Sequence, residues 1–228
     1  MPSLVEGVFL CAVRSRPLGV RALRESLEAN DPSARIIAII SPDDPELAAV
    51  LAELSSAWTV LEAPAEATTV MKANLAFATF PDEAFYGFLA NDLTWTRKGL
   101  LEELAAKVPP FGLSYCADSI HNASLATHPC ADGELLRAQG WCFFPESKHN
   151  GVDCYMQDVA TALGGICYVE GPGFWHNHPS AGRTQTDAVY DLVNSYGEAD
   201  RAAWQKWYGA GEKERVIQRV RETALGCS

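Results

Sequence analysis

Carboxylates, amides and guanidiniums stand at the ends of apolar runs in this chain, the places from which side chains reach a ligand. The clearest case is residues 85–90, an uncharged run that stops on Asn91 and Asp92. A run this short and this apolar reads as a strand covered on both faces in a mostly parallel sheet. Ligands of such sheets bind beyond the carboxyl ends of the strands, so Asp92 is a candidate metal or substrate ligand. The same pair also suits a turn, or the cap of a helix beginning near Lys98. Three other runs repeat the arrangement. Residues 8–13 close on Arg14 and Arg16, two guanidiniums suited to a diphosphate or nucleoside, or to a solvated turn fixed by Pro17. Residues 35–40 precede Asp43 and Asp44, which can accept hydrogen bonds from a nucleobase or ribose, or cap the helix expected over 45–54. Residues 111–116 precede Asp118 and His121, Asp118 being a sugar or acceptor ligand or an ordinary turn aspartate.

Two further features carry chemistry. His176 and His178 are two apart, which in extended backbone puts both imidazoles on one side and within reach of one metal ion; a structural histidine beside Trp175 is the other reading of either alone. Asp153 falls in the first turn of a helix expected over 152–163, where the helix dipole favours a carboxylate with or without a catalytic role.

The elements that must position these residues alternate. Strands are expected at 8–13, 35–40, 58–61, 85–90, 111–116 and 166–169, and helices at 18–28, 45–54, 69–80, 100–107, 132–140 and 152–163. This order predicts an α/β fold, a mostly parallel central sheet flanked by helices, with right-handed crossovers and the functional loops on one edge. The helix at 69–80 carries Lys72 and Asn74 as its polar members. A Trp-rich amphipathic segment at 202–208 and a charged helix around 212–222 are expected to pack on the domain and cover the site. With no internal repeat and no linker, the reading is one domain over 1–192 and a helical C-terminal extension over 193–228.

Composition narrows the partners. With 48% apolar and 21% charged residues the chain is globular rather than disordered, and its net charge of −11 argues against gripping nucleic acid or an anionic membrane by overall charge. Its seven cysteines are odd in number, form no C-x-x-C pair and in part lie within apolar runs, as reduced thiols do. The N-terminus lacks the basic start and apolar core of a signal peptide, and no run reaches membrane-spanning length, so a cytoplasmic location is expected.

Taken together, the strand-end residues carry a resemblance. The sequence resembles the GT-A glycosyltransferases, and among them the small phage-type members, over roughly residues 8–191, with Asn91 and Asp92 where that fold has its DxD-type metal motif. The resemblance implies that Arg14 and Arg16 form the first nucleotide-binding loop, that Asp43 and Asp44 recognise base and ribose, and that Lys72 and Asn74 belong to the polar helix before the metal strand. Gly140 followed by Val152 and Asp153 looks like the segment supplying the catalytic carboxylate. The stretch from Trp175 through His176 to His178 looks like the late histidine of the metal site, and Arg183 with Asp187 like the polar stretch after it. Asn91 departs from the motif, which usually has an acid there, and removes one charge from the site.

The resemblance implies a nucleoside-diphosphate sugar donor, a UDP-sugar first, with Mn²⁺ or Mg²⁺ on Asp92 and His176 or His178 neutralising the departing diphosphate. An imidazole ligand favours Mn²⁺. Asp153 would act as general base, a single base giving inversion, while Asn91 coordinates through its carbonyl or hydrogen-bonds the ribose, and Asp118, His121, Trp175, Arg183 and Asp187 line the sugar or acceptor. Phage-type relatives suggest a modified DNA base or nucleotide as acceptor; a glycan or small molecule is the alternative. Two competing classes are a GT-A-like nucleotide-binding module without turnover, motivated by Asn91, and a nucleotidyltransferase. The latter needs a glycine-rich basic loop, and residues 14–16 are too short and lack glycine.

Overall fold

Apolar runs and amphipathic segments alternate in the computed structural model as the sequence predicts. It describes residues 6–226; residues 1–5, part of the N-terminal segment read above, and Cys227 lie outside the described residues. The first half is β1 (Val8–Ala12), α1 (Pro17–Asn30), β2 (Ile36–Ile40), α2 (Leu47–Glu53), β3 (Thr59–Glu62), α3 (Thr69–Thr79) and β4 (Phe85–Leu89). Then come β5 (Leu93–Trp95), α4 (Leu100–Ala106), β6 (Leu113–Cys116), β7 (Cys130–Asp132), α5 (Gly133–Gln139), α6 (Val152–Ala162), β8 (Ile166–Val169) and β9 (Phe174–His176). Three helices close the chain, α7 (Ala188–Ser195), α8 (Gly197–Gly209) and α9 (Glu212–Gly226).

The main sheet has the order β3-β2-β1-β4-β7-β6-β8, and β5 pairs with β9 in a separate ribbon. Its strands run parallel except β7, which lies antiparallel between β4 and β6. The three-residue strands β5, β7 and β9 were not expected, being too short for any period to show. Side chains of the central strands alternate between two cores. Val8 and Leu10 of β1 join Ile37, Ile39, Phe88 and the helices α3, α5 and α6, whereas Phe9 and Cys11 join Ile36, Ala38, α1 and α4. Burial on both faces is why these strands read as unbroken apolar runs.

Of the C-terminal helices, α8 and α9 are built into the first of these cores. Trp207 of α8 is fully buried and meets Trp141, Phe144 and Tyr155, and Val216, Ile217 and Val220 of α9 belong to the same cluster. Gly19 serves the site directly, since a β-carbon there would run into the Asn91 carbonyl and push α1 away from the end of β4. Six cysteines among the described residues are free thiols. No helix among the described residues is long and apolar enough to cross a membrane.

Candidate active site

The loops following β1 and β4 and the start of α6 open on one cavity of about 490 Å³. Arg14 and Arg16, Lys72, Asn91 and Asp92, and Asp153 all line it. So do all five histidines of the chain, His121, His128, His149, His176 and His178.

Asp92 is the node of the site. Pairing of Leu93 with His176 brings β5 and β9 together, and the Asp92 carbonyl accepts from Asn177 N–H at 2.9 Å, so the two candidate ligands are neighbours although 84 positions apart in the chain. Oδ2 of Asp92 accepts from the Tyr190 hydroxyl at 3.0 Å and from Arg16 Nη1 at 3.4 Å. Oδ1 is buried without a hydrogen-bond partner, 3.7 Å from His176 Nε2. On its other side His176 Nδ1 lies 3.9 Å from Asp118 Oδ2. Burial alone would lower the imidazole's pKa, but the two flanking carboxylates, Asp118 and Asp92, outweigh it and raise it to about 9. Asp92 itself would be raised by burial, yet His176, His128 and Arg16 hold it well below the usual carboxylate range.

Asp118 is positioned by a turn rather than by a ligand. It is fully buried; Oδ1 accepts the backbone N–H groups of Ile120, His121 and Asn122 at 2.9, 2.6 and 2.8 Å, and Oδ2 accepts the Thr127 hydroxyl at 3.1 Å. The turn therefore fixes the carboxylate that in turn faces His176. His128 packs edge-on against His176 with ring centroids 5.2 Å apart, and burial followed by the neighbouring His176 drives its pKa down to about 3, so it stays neutral.

The basic wall is made by the β1 loop and α3. Arg16 sits at φ 57°, a left-handed conformation immediately before Pro17, and its guanidinium grips Asp187 through Nε at 2.6 Å and Nη2 at 2.8 Å. It stacks 4.0 Å from the Tyr190 ring centre. Asp187 also caps α7 by accepting Val189 and Tyr190 N–H, so the α7 start is latched to the β1 loop. Arg14 pairs with Asp43 at 2.9 Å. Lys72 is 2% exposed, and its ammonium donates to the Val13 carbonyl at 2.6 Å. Burial, with Arg14 adding to it, lowers its pKa to about 8. Asn91 spends its amide N–H groups on the Arg14 and Ser15 carbonyls at 3.3 and 3.1 Å, tying the two loops together.

The opposite contribution comes from α6. Gly151 at φ 82° turns the chain into the helix, and Asp153 follows in its first turn with a carboxylate whose pKa is raised by burial. A carboxylate held in this way is a stronger base than an exposed one.

Several residues singled out in the sequence lie elsewhere. Asp44 does not face a ligand and does not occupy the N-cap of α2, which begins at Leu47; its carboxylate accepts Ser15 N–H at 2.6 Å, the Ser15 hydroxyl at 2.8 Å and Glu46 N–H at 2.9 Å. Asn74 holds the loop after α5, its amide oxygen accepting Cys142 and Phe143 N–H and its amide N–H donating to the Phe143 carbonyl. Trp175 is half exposed and carries Arg183 over its ring at 4.2 Å, with Arg183 bonded to Ser119 and to the His176 carbonyl. Alternation along β9 explains this, since His176 points into the cavity and its neighbour Trp175 must point away. His128, His149 and Tyr190 are cavity residues that sequence reasoning missed, because each is a single residue with no spacing signal around it.

Among the described residues no three His, Cys, Asp or Glu side chains converge as a ready-made metal site. Asp92 and His176 nevertheless fit a divalent cation whose other ligands come from substrate, as Mg²⁺ and Mn²⁺ bind with nucleotides. Their facing atoms, Oδ1 and Nε2, are too far apart to hydrogen-bond, and Oδ1 has no other partner. His178 offers less, because its Nδ1 accepts Ser180 N–H at 3.2 Å, which leaves the proton of the neutral ring on Nε2.

No protein-family model matches the chain, and no curated protein matches it in sequence. Solved structures do share its fold. TarS of S. aureus, residues 1–349 in complex with UDP-GlcNAc, aligns with a TM-score of 0.58 at 12% identity, over 95% of this chain and 71% of that one. The same fragment in complex with UDP gives 0.53 at 12% identity, over 95% and 70%. A longer TarS structure gives 0.55 at 13% identity, and this chain spans 43% of it. Likeness at this identity is one of fold, the α/β, Rossmann-like architecture that the resemblance to GT-A enzymes implied.

Proposed function

We propose that the chain is a glycosyltransferase that takes a sugar from a nucleoside-diphosphate sugar, a UDP-sugar, and transfers it to an acceptor hydroxyl with inversion. The observation that carries this reading is the convergence of Arg14, Arg16 and Lys72 with Asp92, His176 and Asp153 on one cavity at the carboxyl ends of β1 and β4. The fold shared with a protein that holds UDP and UDP-GlcNAc in its structures supports the same donor class.

The residues divide the work. Arg14, Arg16 and Lys72 bind and orient the anionic diphosphate, with Arg16 exchanging its Asp187 partner for phosphate oxygens. Asp92 and His176 would hold Mn²⁺ or Mg²⁺, which when bound neutralises charge on the diphosphate. Asp153 accepts the acceptor hydroxyl proton as that oxygen bonds to the anomeric carbon and the bond from that carbon to the diphosphate oxygen breaks. One displacement with one base inverts the centre. His121 and the Asp118 turn shape the sugar side of the cavity. The chain's net charge of −11 favours a glycan, nucleotide or small-molecule acceptor over a base in a DNA duplex.

The test is UDP release from a panel of UDP- and GDP-sugars with Mn²⁺ or with chelator, in wild type and in Asp92→Ala, His176→Ala and Asp153→Asn. Metal-dependent release from one donor, lost in all three variants, is the expected result. Tight UDP binding without release from any donor, with candidate acceptors present, would instead favour a nucleotide-binding module, the reading that Asn91 in place of an acid suggests.

A further inference from the structure

A buried carboxylate on the C-terminal helices organises the segment that leads into Asp153. Asp200 of α8 is 6% exposed and lies outside the cavity lining. Its Oδ1 accepts the Ser147 hydroxyl at 2.9 Å, Lys148 N–H at 2.7 Å and His149 N–H at 3.3 Å. Its Oδ2 accepts Asn150 N–H at 3.0 Å and the Asn150 side-chain amide at 2.9 Å. Three successive backbone N–H groups thus close on one anion, which suits a charged acceptor far better than a neutral one. Burial alone would raise the Asp200 pKa, but these bonds from Lys148, Asn150 and Ser147 hold it below the usual carboxylate range.

The loop so gathered is pinned on its other side to α3. Val70 N–H donates to the Lys148 carbonyl at 3.3 Å, and His149 Nδ1 meets the Thr69 hydroxyl at 2.8 Å. His149, Asn150, Gly151 and Asp153 line the cavity in succession, and Trp204, one turn along α8 from Asp200, lies against Gly151. The loop would otherwise be a short run of polar residues with its N–H groups free to turn to water.

We propose that Asp200 is a positioning residue of the active site, whose carboxylate holds residues 147–150 and through them sets His149 and Asp153 at the cavity wall. The helices after residue 196 are then part of the catalytic unit and not a separable extension. The claim deepens the transferase reading and rests on it for the role of Asp153.

The experiment compares wild type with Asp200→Ala, Asp200→Asn and the control Glu198→Ala on the exposed side of the same helix. It measures UDP affinity by calorimetry, UDP release from UDP-GlcNAc and other UDP-sugars, and amide exchange over residues 146–154. In Asp200→Ala the expected result is faster exchange confined to that segment, a UDP Kd within about threefold of wild type, and a kcat lower by on the order of 10²-fold, the usual cost of a misplaced catalytic group. Asp200→Asn, which keeps one acceptor oxygen, falls between, and Glu198→Ala matches wild type. Unchanged kcat in a loosened loop, or UDP affinity falling in step with kcat, would overturn the proposal. If wild type releases UDP from no donor, the transferase reading fails by itself. The positioning claim is then decided by the His149 ring NMR signal, which must shift in Asp200→Ala and not in Glu198→Ala, and an unmoved His149 signal refutes it.

Discussion

Lys72→Met should make the protein more stable at neutral pH and take away its grip on UDP. The lysine is almost fully buried in the cavity wall, and its pKa falls from 10.5 to about 8. At about 1.4 kcal/mol per pH unit, keeping this ammonium charged in the fold costs about 3 kcal/mol at pH 7. The sign follows from proton counting. Between about 8 and 10.5 the unfolded chain binds the proton that the folded chain has lost, so stability rises with pH across that window and the cost is fully present below it. Methionine fills a similar volume without charge, but it removes the bond to the Val13 carbonyl, and a buried acceptor left alone costs about 1–3 kcal/mol. The net expectation is a gain of about 1 kcal/mol at pH 7, shrinking and then reversing as pH approaches 10, when wild type is relieved of its penalty and the variant still lacks the bond. Urea unfolding at pH 7, 8.5 and 9.5 reads this directly, and UDP titration of the same samples reads the binding loss. A variant less stable than wild type at pH 7 with the same pH slope would refute the assignment of Lys72 as a desolvated charge. In that case another group would own the slope.

Other outcomes follow from the same geometry. Asn74→Ala should cost roughly 2 kcal/mol by stranding the Cys142 and Phe143 N–H groups, and should leave UDP affinity of the folded protein unchanged, as urea unfolding and calorimetry will report. Gly19→Ala should lower Tm and weaken UDP binding together, because the new β-carbon meets the Asn91 carbonyl and moves the loop that carries Asp92. Asp153→Asn should reduce kcat by on the order of 10²–10⁴-fold with UDP affinity within about twofold. In wild type the acid limb of the kcat profile should lie at higher pH than an exposed aspartate would give, since the base works only when ionised and burial raises its pKa. Asp187→Ala should free Arg16 from its strongest partner and tighten UDP binding severalfold, a change that calorimetry at two salt concentrations will separate from simple charge removal.

Much of the scaffold was legible because its signals are local. An uncharged run as short as 85–90 reads most economically as a strand covered on both faces, Gly140 at φ 86° ends α5 where a C-cap was expected, and the helix over 152–163 is α6 to within a residue. Of the polar residues singled out, Arg14, Arg16 and Asp92 at strand ends and Asp153 in the first turn of α6 line the cavity, whereas the strand-end residues Asp43, Asp44 and Asp118 do not. Sequence by itself thus determined the longer strands and helices up to α6 and which strand ends carry charge, but not the short strands β5, β7 and β9 or the helix α7. Only the tertiary structure decided what those charges do. Arg16 meets Asp187 across 171 positions and Asn91 meets Ser15 across 76, separations over which no periodicity or spacing rule carries information. Asp43 and Asp44 look alike in the chain, yet one pairs with Arg14 and the other is consumed by Ser15. His128 and His149 gained their place only when β7 inserted antiparallel beside β4 and Asp200 gathered the loop after α5. The physical reason is that a strand or helix is specified by its own residues, whereas the partner of a buried polar atom is whichever group the packing of distant elements leaves within about 3 Å of it.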